Sequence, residues 1–108
     1  GHYSIEGTPC SQFENHIRAV AGLPLGDTTL IKPTVMKNIL GEDDQSGPAL
    51  VMGVEEVLAV PAATLHIYGK DEVRPGRKMG HITVIADSLD KAAELAAKAH
   101  DSLQIIGG

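Results

Sequence analysis

Four apolar residues between positions 13 and 21 recur at helical intervals, which predicts a helix near the start of the chain. They are Phe13, Ile17, Val20 and Ala21. We expect this face to pack inward, with Phe13 and Ile17 buried. Two starts suit the helix, Thr8-Pro9 and the capping-box spacing of Ser11 to Glu14, and Gly22 suits its end.

The middle of the chain alternates between apolar and turn-forming stretches. Residues 28–31 and 34–40 are β-branched and apolar, which predicts two strands. Residues 41–48 are polar, acidic and glycine-bearing, so we expect a loop there. Residues 51–58 have the pattern of a short helix that turns a pair of glutamates outward.

Two further apolar runs, 64–68 and 79–85, predict strands that are joined by the loop 69–76. We expect them to be adjacent and antiparallel, as a hairpin. On these strands at least one pair of apolar residues should be buried. The pairs are Leu65 with Ile67 and Ile82 with Val84.

The last apolar stretch is rich in alanine and predicts a second long helix. Ser88 is a suitable N-cap, and Asp90 suits the positive end of the helix dipole. Small residues on one face allow close packing on a sheet. The chain therefore reads as α+β: a small, mostly antiparallel sheet with one helix near each end. Its 108 residues suffice for one compact domain.

Composition excludes several classes of protein. Apolar residues make up 43% and charged residues 21%, as in ordinary globular domains. The net charge of −5 and the absence of tryptophan argue against a nucleic-acid binder. No apolar run is long enough to span a membrane. Cys10 is the single cysteine, so no internal disulfide can form. A reducing compartment fits this usage, and we expect a cytoplasmic protein.

Four of the nine lysines and arginines fall within nine residues, in a segment that we call the basic loop, residues 69–78. They are Lys70, Arg74, Arg77 and Lys78. Lysine offers a point charge and arginine a planar fork that fits phosphate oxygens, so the loop is a candidate anion site. The alternative is a solvated turn whose cations offset Asp71 and Glu72. The spacing is no phosphate-binding P-loop.

The remaining chemistry-bearing residues carry weaker signals. No two of the five histidines have helical ligand spacing and Cys10 has no nearby cysteine, so we expect no metal site. His66 and His81 lie in predicted strands and read as structural residues, whereas His2 is a candidate functional residue. Cys10 falls in the first turn of a helix, where a thiolate would be favoured, but a packing role fits better.

Four segments read together resemble the C-terminal third of carboxyaminoimidazole ribonucleotide synthetases. They are GHYSIEG at 1–7, SQFENHIRAVAGLPLG at 11–26, VMKNILGE at 35–42 and LHIYGKDEVRPGRKMGHITV at 65–84. The YGK-x-x-x-RPGRKMGH stretch is highly specific. The resemblance extends from Gly1 to about Ile85 and leaves open whether the parent is a bacterial enzyme or a fungal fusion.

The resemblance implies an ATP-grasp enzyme of purine synthesis. Such enzymes phosphorylate bicarbonate with ATP and pass the carboxylate to aminoimidazole ribonucleotide. The resemblance implies that Lys70 and Arg77 face the ribonucleotide phosphate and the carboxylation site, with Lys70 in a catalytic role. Arg74 and Lys78, which flank this pair in the basic loop, and His2 are the other candidate substrate-binding residues. Cations and magnesium stabilise such anionic chemistry.

The resemblance also implies a division of labour within the parent enzyme. We expect residues 1–108 to form a single C-terminal domain, with the ATP-grasp core and the sites for ATP and magnesium upstream. The chain alone should then bind no cofactor and catalyse nothing. Family members commonly form homodimers, so a non-catalytic packing or dimerisation module is the alternative. A general anion-binding regulatory domain is a third reading and depends on the basic loop alone.

Overall fold

The computed structural model describes all residues, 1–108, and contains four helices and six strands. In chain order they are α1 (Ser4–Gly7), α2 (Gln12–Val20), β1 (Thr34–Leu40), β2 (Gly47–Met52), α3 (Val54–Leu58), β3 (Ala63–Ile67), β4 (Glu72–Val73), β5 (Lys78–Ile85), α4 (Leu89–Ser102) and β6 (Gln104–Gly107). The strands form two three-stranded sheets, β1-β5-β3 and β4-β2-β6, in which every pairing is antiparallel. The α+β class with a helix near each end is confirmed.

The sheet β1-β5-β3 has the longer strands, and we call it the larger sheet. It carries the hydrophobic core on the side that α4 covers. Ile82 and Val84 in the central strand β5 have no exposed surface, as the hairpin pattern predicted for one apolar pair. Three alanines of α4, Ala92, Ala96 and Ala99, are also fully buried and belong to the same apolar cluster. Because alanine has a short side chain, the helix axis can approach the sheet closely.

Helix α4 begins where its sequence signals placed it. The hydroxyl oxygen of Ser88 accepts a hydrogen bond from the backbone N–H of Lys91, and Asp90 lies in the first turn. No helix of the chain is long and apolar enough to cross a membrane. The strand β6, which follows α4 directly, was not predicted.

Two sequence expectations about the middle of the chain were wrong, the first wholly in one segment and the second in part. Residues 28–31 form no strand, whereas 34–40 do, as β1. The predicted helix at 51–58 is confirmed only from Val54 onward, because residues 51 and 52 end strand β2 and pair with β6. Gly53, at a φ of 91°, makes the change from strand to helix. A side chain at Gly53 would collide with the carbonyl oxygen of Ser102.

Helix α2 forms as predicted but exposes the face that we expected to be buried. Ser11 caps it by accepting from the N–H of Glu14, so the capping-box start is the correct one. Phe13 is 43% exposed and Ile17 is 66% exposed, which overturns the expectation that they are buried. The physical reason is that no other element of the chain covers this face. Periodicity shows which side of a helix is apolar, but not what lies against it.

Candidate functional site

The basic loop connects two adjacent antiparallel strands, as the hairpin pattern predicted. Strand β3 pairs with β5 from Ala63 opposite Val84 to Ile67 opposite Gly80. Beyond the ladder, the N–H of Tyr68 donates to the carbonyl of Met79 over 3.0 Å. The base of the loop is therefore fixed by sheet hydrogen bonds. The loop also contributes the short strand β4, which pairs with β2 in the second sheet.

A tight turn forms the tip of the loop and is attached to the end of β1. The N–H of Arg77 donates to the carbonyl of Arg74 over 3.0 Å, and Gly76 between them has a φ of 74°. With Pro75 before Gly76, the sequence suits a type II turn. Gly41 exchanges two hydrogen bonds with the turn, to Gly76 and Arg77. A side chain at Gly41 would meet the carbonyl oxygen of Arg74, so only glycine permits this approach.

The four cations of the loop form no ion pair. The four salt bridges of the chain all lie elsewhere, so the alternative reading, in which they offset Asp71 and Glu72, has no ion pair to support it. The ammonium group of Lys70 donates to the carbonyl of Lys78, and the guanidinium of Arg77 donates to the carbonyl of Glu72 over 2.9 Å. Backbone carbonyl oxygens orient both groups, and no carboxylate forms an ion pair that would compensate their positive charge.

A histidine pair lies at the root of the hairpin, on the sheet face opposite α4. His66 and His81 are directly opposite each other in the β3–β5 register, and their rings stack with centroids 4.5 Å apart. Nε2 of His66 is 3.0 Å from a carboxylate oxygen of Glu6, and Nδ1 of His81 is 2.9 Å from the hydroxyl of Tyr68. We call the surface made by His66, Tyr68 and His81 the histidine face.

His2 joins the histidine face from the start of the chain. Its ring lies 5.0 Å from that of His81 and 5.9 Å from that of Tyr68. Tyr68 in turn lies beneath Lys70, whose Nζ is 5.7 Å from the ring centroid. The structure thus brings the sequence candidate His2 to the base of the basic loop, although the two are nearly seventy residues apart in sequence.

Burial makes His81 a neutral imidazole. The residue has no exposed surface, and desolvation lowers its pKa to about 4, with further contributions from His66 and His2. Its Nε2 has no hydrogen-bond partner within the chain. Desolvation also raises the pKa of the Tyr68 hydroxyl, so the pair is neutral at physiological pH.

Sequence reasoning missed this group because it judged histidine spacing along helices only. The predicted strands 64–68 and 79–85 already contained His66 and His81, and pairing the two strands would have brought both to neighbouring positions. Glu6 carried no signal of its own. Its place beside His66 depends on α1 packing on the larger sheet, which no local pattern predicts.

Three side chains of this group have the chemistry of metal ligands. One ligand atom each from Glu6, His66 and His81 lies within 4.8 Å of the others. The planes of the two imidazole rings are only 21° apart, so their in-plane lone pairs run side by side instead of converging on one point. Tetrahedral zinc needs converging donors about 2 Å from the ion. The stacked arrangement is therefore not a preformed metal site.

Cys10 is buried and its thiol donates to the carboxylate of Glu14 over 3.0 Å. That hydrogen bond, with burial, raises the pKa of the thiol and, as its counterpart, lowers the pKa of Glu14. The sequence placed Cys10 in the first turn of a helix, where a thiolate would be favoured; this is wrong, because Cys10 precedes the N-cap Ser11 and lies beside a carboxylate. The packing role is the one that fits.

The cleft of the chain lies away from the basic loop. It has a volume of about 170 Å³ and is lined by β1, the end of α4 and β6, including Asn38, Glu42 and His100. None of the sequence-predicted site residues lines it. The candidate site is therefore not this cleft. It consists of the mostly exposed basic loop and the partly exposed ring of Tyr68 beside it.

Comparisons with known proteins place the chain beside one family. A family model described as the phosphoribosylaminoimidazole carboxylase C-terminal domain matches residues 34–95. The chain is 48% identical over 93 residues to the phosphoribosylaminoimidazole carboxylase of Schizosaccharomyces pombe, covering 82% of the chain and 16% of that protein. The chain therefore spans about a sixth of this relative.

Solved structures share both the fold and the sequence. The N5-carboxyaminoimidazole ribonucleotide synthetase of Thermotoga maritima matches with a TM-score of 0.94 and 48% identity, over 100% of this chain and 30% of that one. The N5-carboxyaminoimidazole synthase of Aspergillus clavatus, in complex with ADP and 5-aminoimidazole ribonucleotide, matches with a TM-score of 0.77 and 36% identity. That match covers 94% of this chain and 28% of the Aspergillus chain.

Proposed function

The chain belongs to the phosphoribosylaminoimidazole carboxylase C-terminal domain family, and from this we propose that it serves an enzyme that carboxylates aminoimidazole ribonucleotide. The reaction consumes ATP and bicarbonate and yields the N-carboxylated ribonucleotide, ADP and phosphate. We propose that residues 1–108 form the C-terminal domain of a longer ATP-grasp enzyme of cytoplasmic purine synthesis. The low coverage of its relatives supports this proposal.

The observation that carries the proposal is the uncompensated charge of the basic loop. A phosphomonoester has close to two negative charges near neutral pH, and its charge-assisted hydrogen bonds are about twice as strong as neutral ones. Lys70 and Arg77 already donate to loop carbonyls, so their side chains are held near the turn. We propose that both bind the ribonucleotide phosphate, with Arg74 and Lys78 flanking it.

Lys70 lies closest to the aromatic surface that His2 and Tyr68 provide. We propose that Lys70 also stabilises the negative charge of the incoming carboxylate, which would make it a catalytic residue. His2 is proposed to line the same substrate site. These roles need no proton transfer by the chain, only fixed positive charge.

We propose that ATP and magnesium bind to residues outside this chain. Magnesium prefers oxygen ligands, whereas the one group of potential ligands, around His66 and His81, is mostly nitrogen. The Aspergillus clavatus structure is a complex with ADP, which supports nucleotide binding by the complete enzyme. We therefore assign no step of ATP chemistry to these residues.

The test compares the complete enzyme with the chain alone. We expect the complete enzyme to release ADP only when bicarbonate and aminoimidazole ribonucleotide are both present. The 108-residue chain alone should release none under the same conditions. ADP release from the chain alone would contradict its assignment as a non-catalytic domain, and ribonucleotide-independent turnover of the complete enzyme would contradict the proposed substrate.

The exposed face of α2 favours a second candidate function, self-association. Phe13, Ile17 and Val20 all lie open on one helix, and the following turn adds Leu23 and Leu25. Apolar patches of this kind mark interaction surfaces. We propose that a second copy of the protein covers this face in a homodimer. Light scattering of the complete enzyme and of an Ile17→Asp variant tests it: loss of the dimer in the variant is expected, and a monomeric parent would refute it.

A further inference from the structure

We propose that the hydrogen bond between Tyr68 and His81 positions Lys70, by holding the tyrosine ring beneath the lysine ammonium group. The inference depends on the proposed role of Lys70 in binding the ribonucleotide. Tyr68 and His81 are positioning residues in this account, because His81 is too deeply buried to contact a substrate and acts through Tyr68. Neither residue takes part in the carboxylation step itself.

Lys70 has a long, flexible side chain at the edge of a loop, so its position must be set by contacts. Besides the carbonyl of Lys78, the group that lies against its ammonium is the ring of Tyr68, at 5.7 Å. This distance is within the range of cation–π attraction. The direction in which the tyrosine ring points therefore contributes to where the positive charge of Lys70 lies.

The backbone alone does not fix the tyrosine ring. Sheet pairing holds the main chain of Tyr68 through its N–H bond to Met79, but the residue is 36% exposed, so packing does not enclose its side chain. Its hydroxyl makes one hydrogen bond, to Nδ1 of His81 over 2.9 Å. That hydrogen bond connects a partly exposed ring to the imidazole of His81, which is fully enclosed and therefore held in place.

His81 is held from both sides. On one side its ring stacks on that of His66, which is tethered by the carboxylate of Glu6. On another side the ring of His2 meets it at an angle of 75°. Because the imidazole is neutral, it adds no positive charge that would repel Lys70.

The imidazole of His81 has two ring nitrogens, and within the chain only Nδ1 has a hydrogen-bond partner. A buried polar atom without a hydrogen bond destabilises the folded state, and an aliphatic side chain at this position of β5 would avoid that cost. What the imidazole supplies, and a leucine could not, is the acceptor or donor for the Tyr68 hydroxyl. The hydrogen bond to Tyr68 is the contact that an aliphatic residue at position 81 would lose, and this supports the positioning role.

The test is a double-mutant cycle in the complete enzyme, with the KM for aminoimidazole ribonucleotide as the readout. Tyr68→Phe removes only the hydroxyl, and we expect it to raise this KM about two- to fivefold, the scale of one exposed cation–π contact. The KM for ATP should not change. In a Lys70→Ala background, Tyr68→Phe should have no further effect, because the group that it positions is gone.

Conservative replacement at His81 provides a second arm. Asparagine places an amide near the position of Nδ1, so His81→Asn should behave more like the parent than His81→Leu does. Tyr3→Phe is the matched control, since Tyr3 is similarly exposed and its hydroxyl makes no hydrogen bond within the chain. It should leave both KM values unchanged.

Each outcome decides a different claim. If Tyr68→Phe raises the ribonucleotide KM equally with and without Lys70, or not at all, the positioning role is wrong while the substrate role of Lys70 stands. If Lys70→Ala itself leaves the KM unchanged, the proposed role of Lys70 fails, and this inference fails with it. Should His81→Leu not fold, the Tyr68→Phe cycle decides alone, because its only change is the loss of a partly exposed hydroxyl.

Discussion

The two faces of the larger sheet differ in the polarity of the residues that they bury. Toward α4, strand β5 presents Ile82 and Val84 to a row of alanines, and every contact is apolar. Toward α1, the same strand presents His81 and Thr83, which are equally buried but polar. Both polar residues carry a buried atom without a hydrogen bond within the chain, Nε2 of His81 and Oγ1 of Thr83.

The difference indicates that the α4 face stabilises the fold, whereas the opposite face serves the candidate site. Apolar burial on the α4 face supplies folding free energy at no polar cost. The histidine face bears the cost of unsatisfied polar atoms, and it lies at the root of the basic loop, next to His2 and Lys70. Local violations of packing rules are expected where function requires them. The comparison predicts large losses of stability from changes on the α4 face. Changes on the other face should have smaller or pH-dependent effects on stability and should alter substrate binding.

The largest effect should follow from a cavity on the α4 face. Ile82→Ala removes a fully buried side chain from the core, and we expect a loss of about 2–5 kcal/mol in the free energy of unfolding. Chemical denaturation measures it. Leu89→Ala on the exposed start of α4 is the control and should cost less than about 0.5 kcal/mol. Equal losses in the two variants would contradict the placement of the core.

The histidine face should make stability depend on pH. The pKa of His81 is about 4 in the folded chain and about 6.5 in an unfolded one, so the unfolded chain binds the proton first. Its contribution to stability is therefore complete above pH 6.5 and is lost as the pH falls from 6.5 toward 4, at up to about 1.4 kcal/mol per unit.

Thermal unfolding at several pH values measures this slope, and His81→Asn is the comparison that isolates it. The variant lacks the titrating imidazole, so its unfolding temperature should fall less between pH 6.5 and 4 than that of the parent. Parallel pH profiles for the parent and the variant would show that His81 is not the buried base described here.

The smallest effect should come from Thr83. Valine has nearly the same shape, and Thr83→Val removes a buried hydroxyl that has no partner within the chain. We expect the free energy of unfolding to stay the same or to rise by up to about 1 kcal/mol. A clear destabilisation in chemical denaturation would mean that the hydroxyl is hydrogen-bonded in solution, and the two faces would then differ less than the structure indicates.

Local sequence signals predicted those parts of the fold that local forces decide. The N-caps Ser11 and Ser88, strand 34–40 and the hairpin around the basic loop are all present, because caps, alternation and turns depend on near neighbours. Strands β2 and β6 were missed because each is short and is stabilised by pairing with a strand about fifty residues away.

The candidate site divides in the same way. The basic loop stood out because its four cations fall within nine residues of sequence, and the resemblance over residues 65–84 added to that signal. The histidine face did not, because Glu6, His66 and His81 meet only when α1 packs on the sheet. The misjudged burial of Phe13 has a similar cause, since a helix pattern cannot say whether another surface of the same chain will cover it.

The most direct test of the central claim is the steady-state kinetics of Lys70→Ala and Arg77→Ala in the complete enzyme. Losing one charge-assisted contact to the phosphate, worth about 1.5–3 kcal/mol, should raise the KM for aminoimidazole ribonucleotide roughly ten- to hundredfold in each variant. The KM for ATP should stay nearly constant, because we place the nucleotide on other residues. A ribonucleotide KM that is unchanged in both variants would contradict the assignment of the basic loop as the phosphate site.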